Sequence, residues 1–197
     1  MKQKPNTSWG KGAEWYDETI SKDDSFQNKV ILPNLLRLMD IKLGEKILDV
    51  GCGTGFFAAE FSKAGAKVSG IDVGEELLVI ARKNAPKAEF KKASAEALPF
   101  GNEIFDKVVF VLALQNMSDM KKAVSEAVRT LKSGGKIFLI LNHPAFRNPG
   151  ESSWGWDQEK NVQYRRLDSY LSEKKSKIQK PFMHYFRIIK KLLLLFH

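Results

Sequence analysis

Residues 47–55 read ILDVGCGTG. An apolar run closing on a carboxylate, Asp49, is followed at once by Gly51, Gly53 and Gly55, and then by a helical pattern over 55–63 with Phe57, Ala58 and Phe61 on one face. Residues without a Cβ let the chain turn tightly from strand to helix and let a ligand lie against the backbone. The N–H groups at the start of the helix are then expected to face that ligand. Asp72 closes the next apolar run, 67–71 (KVSGI), 21 residues beyond Gly51. In a doubly wound sheet that is the place of a carboxylate accepting hydrogen bonds from ribose hydroxyls.

Outward from this stretch the same alternation continues. Further runs lie at 88–91 (AEFK), 107–114 (KVVFVLAL) and 136–142 (KIFLILN), the last two continuous enough for strands buried on both faces. Helical spacing occupies 75–84, with Leu77, Leu78, Ile80 and Ala81, and 118–132, with Met120, Ala123, Val124, Ala127, Val128 and Leu131. Ser118 is the expected N-cap of the second helix and Gly134-Gly135 its stop. Strand–helix–strand repeats imply an α/β chain with a mostly parallel, doubly wound sheet and helices on both faces. Ahead of it, 25–40 reads as a helix interrupted near Pro33. Residues 143–157 (HPAFRNPGESSWGWD) read as an ordered loop, and a final helical pattern runs through Phe182, Tyr185, Phe186, Ile189, Leu192, Leu193 and Phe196.

Composition excludes several classes. With 197 residues, 43% hydrophobic and 28% charged, the chain is long enough for one packed domain and too apolar for wholesale disorder. The apolar runs 108–114 and 192–196 fall far short of the ~18 residues of a membrane span. The basic start lacks the apolar stretch of a secretory signal, so a cytoplasmic protein is expected. A single cysteine excludes an internal disulfide and a cysteine-rich metal site, and no metal is expected. Residues 1–150 carry 22 basic and 18 acidic side chains, residues 151–197 carry 10 and 5. The basic excess of the tail is either a solvated surface or a contact with an acidic partner.

Two details narrow the ligand. A dinucleotide fingerprint places its third glycine three residues after the second, where this chain has Phe56. A carboxylate two residues before the first glycine would repel a diphosphate and suits a cationic group. No Gly-Lys-Ser/Thr follows, which excludes a Walker-type loop. The expected ligand is a nucleoside with positive charge at one end.

LDVGCGTG resembles the first motif of class I S-adenosylmethionine-dependent methyltransferases. GIDVGEELLVIAR (70–82), ASAEALPF (93–100), FDKVVFVLALQNM (105–117) and VRTLKSGGKIFLI (128–140) agree with the rest in order. They resemble the type-11 branch, which includes the C-methyltransferases of ubiquinone and menaquinone synthesis. The resemblance implies a Rossmann-like fold, S-adenosyl-L-methionine as cofactor and a small-molecule methyl acceptor. It places Asp49, Gly51 and Cys52 near the methionine end, and Gly53 where the chain passes close to the cofactor. Asp72 is assigned to the ribose diol, Val73 to the adenine, Ser94 and Ala95 to the adenine edge, and Leu112 to the sulfonium end. Many relatives have Asp in place of Ser94. Tyr16 with Trp15 resembles a segment that lids the methionine end, and Gln115 and Asn116 occupy a turn that faces the acceptor.

Each assignment has a structural alternative. Asp49 or Asp72 could cap the following helix, Cys52 reads as a packing residue, and Asp106 as structural. Trp154 and Trp156 could wall an acceptor pocket or pack their own loop. His143, directly after the fifth strand, is the candidate catalytic base if one is needed; a structural role is the alternative. The organisation expected is a lid segment over 1–24, the cofactor-binding domain over 25–144, and a basic loop and helix over 145–197. The family's C-terminal antiparallel hairpin is expected to be missing or incomplete. That leaves a second reading, a truncated, noncatalytic S-adenosylmethionine-binding or adaptor protein. The last helix could also serve a homodimer or a peripheral membrane contact. Nucleic acid is not an expected partner, since no Asn-Pro-Pro-Tyr-type motif follows the fourth strand.

Overall fold

The computed structural model describes residues 12–142, 152–167, 175–177 and 185–187. In chain order these form α1 (Ala13–Ile20), a π-helical turn (Gln27–Ile31) running into α2 (Leu32–Met39), β1 (Lys46–Val50), α3 (Phe56–Lys63), β2 (Lys67–Asp72), α4 (Glu75–Asn84) and β3 (Glu89–Lys92). They continue with β4 (Phe105–Val111), a 3-10 turn (Leu114–Asn116), α5 (Met120–Thr130), β5 (Leu131–Ile140), β6 (Ser152–Asp157), β7 (Val162–Leu167), β8 (Lys175–Lys177) and β9 (Tyr185–Arg187). The chain divides into two compact units, 1–140 and 141–197.

In the first unit five parallel strands lie in the order β3-β2-β1-β4-β5. The order reverses between β1 and β4, which opens a crevice at their carboxyl ends. Alternation along the strands sends Ile47, Val68 and Val109 into a cluster with Ile31, Leu35, Met39, Phe57, Ala58 and Phe61 of α2 and α3. Leu48, Val50, Val108 and Phe110 point to the other face and are equally inaccessible. Burial on both faces is why β1 reads as apolar but for Asp49, and β4 as apolar from Val108 on.

Several boundaries differ from the expected ones. The helix after β4 begins at Met120, capped by Asp119, whose Oδ1 accepts the Lys122 N–H at 3.0 Å; Ser118 is not the cap. It ends at Thr130, before the glycine pair, because Leu131 already pairs with Phe105. Gly134-Gly135 fall instead within the long extended stretch of β5, at a register shift. The interruption expected near Pro33 is the π turn, with Pro33 in the first turn of α2.

The second unit corrects the tail. Part of the expected loop, Ser152–Asp157, is a strand paired antiparallel with Val162–Leu167. Part of the expected final helix, Tyr185–Arg187, is a strand paired with Lys175–Lys177. Backbone pairing with Lys175–Lys177 overrides the helical spacing at Tyr185–Arg187. The five-stranded sheet holds no antiparallel strand among the described residues; antiparallel pairing occurs in these two separate ribbons. His143 and residues 188–197 lie outside the described residues.

Candidate functional site

The crevice is built where β1, β2 and β4 end. Gly51 and Cys52 turn back beside β2, their N–H groups donating to the Ile71 carbonyl at 2.8 and 3.0 Å. The Gly53 N–H donates to Asp72 Oδ2 at 3.0 Å, and the Gly55 N–H to the Cys52 carbonyl at 3.0 Å. Four loop N–H groups are thus taken by protein acceptors, and the N–H groups expected to face a ligand are those of the first turn of α3, which have no acceptor within the helix.

Gly51 has a φ of +75°, and a Cβ there would come within 2.6 Å of the Ala113 Cβ. The turn after β4 thus presses directly on the glycine turn, and only glycine fits between them. Leu112, the first residue after β4, itself has a φ of +53°. Its carbonyl receives Gln115 Nε2 at 2.8 Å and Asn116 Nδ2 at 3.4 Å, which shapes the turn holding both expected acceptor-facing residues.

Asp49 is buried in β1, with Oδ2 accepting no hydrogen bond. Burial first, and then the charge of Asp72, push its carboxyl up to about 7. Asp72 is also raised, mainly by burial, against the N–H groups of Gly74 and Gly53 that favour its charged form. Its Oδ1 accepts the Gly74 N–H at 2.8 Å, so it braces the start of α4, although Gly74 and not Asp72 is the N-cap. The Thr54 Oγ1 and Gln115 Oε1 are likewise buried without partners. A negative crevice with unpaired acceptors calls for a ligand that donates and carries positive charge.

The remaining expected residues are placed as follows. Tyr16 comes to the glycine turn from α1, its Cε1 3.7 Å from where a Cβ of Gly53 would stand. Burial, with the carboxylates of Asp72, Asp49 and Asp17, holds its hydroxyl up at about 12. Val73 follows Asp72 and is exposed, while Ala95 is buried after β3. The Ser94 hydroxyl donates to the Glu96 carboxylate. Cys52 is buried, and burial first, then Asp49 and Asp72, raise its thiol far above the ordinary range. Trp154 belongs to the second unit, exposed on β6 with the Arg165 guanidinium 5.3 Å from its ring.

Two features were missed by sequence reasoning. Asn84 Nδ2 donates to the Thr54 carbonyl at 3.0 Å and to Asp17 Oδ1 at 2.8 Å, tying α1 to the glycine turn. Glu96 Oε1 accepts the N–H groups of Ser118 and Asp119 at 3.0 and 3.3 Å, joining the loop after β3 to the start of α5. Neither has a local sequence signal, because each contact spans a long separation along the chain.

Comparison with known proteins bears on this crevice. Residues 48–139 match the type-11 family described as "Methyltransferase domain". Over those residues this chain is similar to type-11 methyltransferase domains. A demethylmenaquinone methyltransferase of Chlorobaculum parvum is 43% identical over 96 residues, 48% of this chain and 40% of that protein. One of Streptomyces avermitilis is 32% identical over 135 residues, 68% of this chain and 58% of its own length. The chain spans about half the length of the curated relatives it matches. The crystal structure of an S-adenosylmethionine-dependent methyltransferase from Mesorhizobium loti superposes with a TM-score of 0.70, covering 88% of this chain and 80% of that one at 26% identity. The resemblance read from the motifs, with its S-adenosylmethionine cofactor, agrees with these findings.

Proposed function

We propose that this chain is an S-adenosylmethionine-dependent methyltransferase acting on a small molecule. The observation that carries the reading is Asp49: a buried carboxylate with a bare Oδ2, beside a turn in which the N–H groups of Gly51, Cys52, Gly53 and Gly55 are engaged within the protein. That pairing fits an ammonium group and not a phosphate. Asp49 would face the cationic methionine end, with Gly51 and Cys52 beside it and Gly53 open to the ligand. Asp72 keeps lone pairs for a ribose diol after accepting two backbone N–H groups. Val73, Ser94 and Ala95 would border the adenine, and Leu112 the reacting end.

When bound, the cofactor supplies an already activated methyl group. The chain's own contribution is then alignment and exclusion of water, both of which lower the barrier without an obligatory acid or base. Tyr16 at the mouth of the turn, and Gln115 and Asn116 in the turn after β4, would position the acceptor. Its class is taken as quinone-like, following the relatives named for demethylmenaquinone. The second reading, a noncatalytic adaptor, has no observation in its favour.

Calorimetry with S-adenosylmethionine, its demethylated product, NADH and FAD tests the cofactor. Binding of the first two alone is expected; binding of a dinucleotide instead would overturn the reading. Transfer of labelled methyl to quinol fractions, set against polar metabolites, then tests the acceptor. Label appearing in the polar fraction alone would reject the quinone assignment.

A further inference from the structure

Helix α2 and the π turn before it bury Ile31, Leu35 and Met39. The opposite side carries Phe26, Val30, Pro33 and Leu38, interleaved with Lys29, Asn34 and Arg37, all exposed. A solvated helix face is ordinarily polar. Here Phe26 is 61% and Leu38 57% exposed, and Leu43, just past the helix, is 91% exposed. The face has no carboxylate. Asn34 turns its amide inward, Nδ2 donating to the Val30 carbonyl at 2.8 Å. Lys29 and Arg37 form no ion pair among the described residues.

At its carboxyl end the face runs into a cavity of about 290 Å³ bordered by Leu38, Lys42, Lys107, Lys132 and Lys136. Lys42 pairs with Asp40 at 2.8 Å, Lys132 with Asp106 at 2.7 Å and Lys107 with Glu45. Lys136 makes no direct ion pair among the described residues, and the four lysines outnumber Asp40, Glu45 and Asp106 in the lining by one, so the positive surplus of the helix face continues into the cavity.

We propose that this face rests on an anionic phospholipid surface. Phe26, Val30 and Leu38 enter the boundary between headgroups and acyl chains, and Lys29, Arg37 and Lys136 meet phosphates. An apolar ridge flanked by cations and no acids is complementary to such a surface. It is not self-complementary: a second copy docked by twofold symmetry would set Lys29 and Arg37 against like charges. The inference rests on α2 and its surroundings, and it stands apart from the methyl-transfer reading.

The test is co-sedimentation of the full chain with vesicles, in the absence of cofactor and acceptor. Vesicles containing phosphatidylglycerol should retain the protein, phosphatidylcholine alone should not, and salt should weaken retention. Lys29→Gln with Arg37→Gln should lower the partition coefficient about 30-fold, at roughly 1 kcal/mol per basic residue. Phe26→Ser with Leu38→Ser should abolish retention, whereas Val128→Ser, exposed on α5, should leave it unchanged. Circular dichroism confirms that each variant is folded, and the two pairs fail independently. Equal retention by both vesicle types, or wild-type retention of both double variants, overturns the proposal. So does a solution dimer that Phe26→Ser with Leu38→Ser dissociates, because the face then belongs to a second copy.

Discussion

Replacing Asp49 with asparagine isolates the electrostatic cost of the crevice. In the unfolded chain this carboxyl ionises near 3.8, and in the fold at about 7. Between those values the folded protein holds a proton that the unfolded chain has lost. Stability is therefore complete below the lower value and falls as pH rises through the upper one, the reverse of an ion-paired carboxylate. About three pH units at ~1.4 kcal/mol each come to about 4 kcal/mol. Asparagine has nearly the same shape and no charge, so its variant lacks this slope. Because the charge of Asp72 adds to the Asp49 shift, the slope lost in the variant belongs to the coupled pair, with burial of Asp49 its larger part. Urea unfolding of the cofactor-free proteins between about pH 4 and pH 8 is the assay. Asp49→Asn should gain about 4 kcal/mol on the wild type near pH 8 and almost nothing near pH 4. Parallel pH profiles would refute the claim that an uncompensated carboxyl lies beneath the glycine turn. The same variant should bind S-adenosylmethionine more weakly, since it removes the negative charge meant for the ammonium. In the wild type, binding near neutral pH should release a proton, detected as a binding enthalpy that depends on the buffer.

Three further outcomes follow from contacts already described. Gly51→Ala adds a Cβ 2.6 Å from that of Ala113, whereas Gly44→Ala, at a similar φ of +80°, meets nothing within 4 Å. The first should lower the unfolding free energy measured in urea by about 2 kcal/mol more than the second, the difference being steric. Asp72→Ala should weaken S-adenosylmethionine binding by ~1–3 kcal/mol in calorimetry, and an unchanged dissociation constant would remove the ribose assignment. Lys107 is buried with its ammonium on Glu45, whose Oε2 also accepts the Lys42 N–H, so Lys107→Ala should cost ~1–3 kcal/mol of stability; adding Glu45→Gln should recover part of it.

The sheet was legible because its strands are buried on both faces, which leaves 108–111 wholly apolar and 47–50 apolar but for Asp49. The glycine turn was legible because few residue types tolerate its backbone. What escaped depends on partners distant along the chain. Gly134-Gly135 carry the usual signature of a helix stop, yet the helix had ended at Thr130, where Leu131 meets Phe105 across the sheet. Tyr185–Arg187 sit in a helical spacing and are extended, because three residues of strand owe their form to the segment they pair with. No local pattern shows that β2 supplies the acceptors for the Gly51, Cys52 and Gly53 N–H groups. Asn84, which joins α1 to that turn, is an unremarked polar residue at the end of α4 until the fold brings Thr54 and Asp17 to it.

The lone cysteine has a practical consequence. Cys52 is packed against the β2 backbone at Gly70 and held in its thiol form between two carboxylates. Alkylating reagents need a thiolate they can reach, so they should find it only in the moments when the turn comes apart. The rate of its modification by iodoacetamide is thus a built-in clock for the opening of the crevice floor, and a ligand that fills the crevice should slow that clock without touching the sulfur.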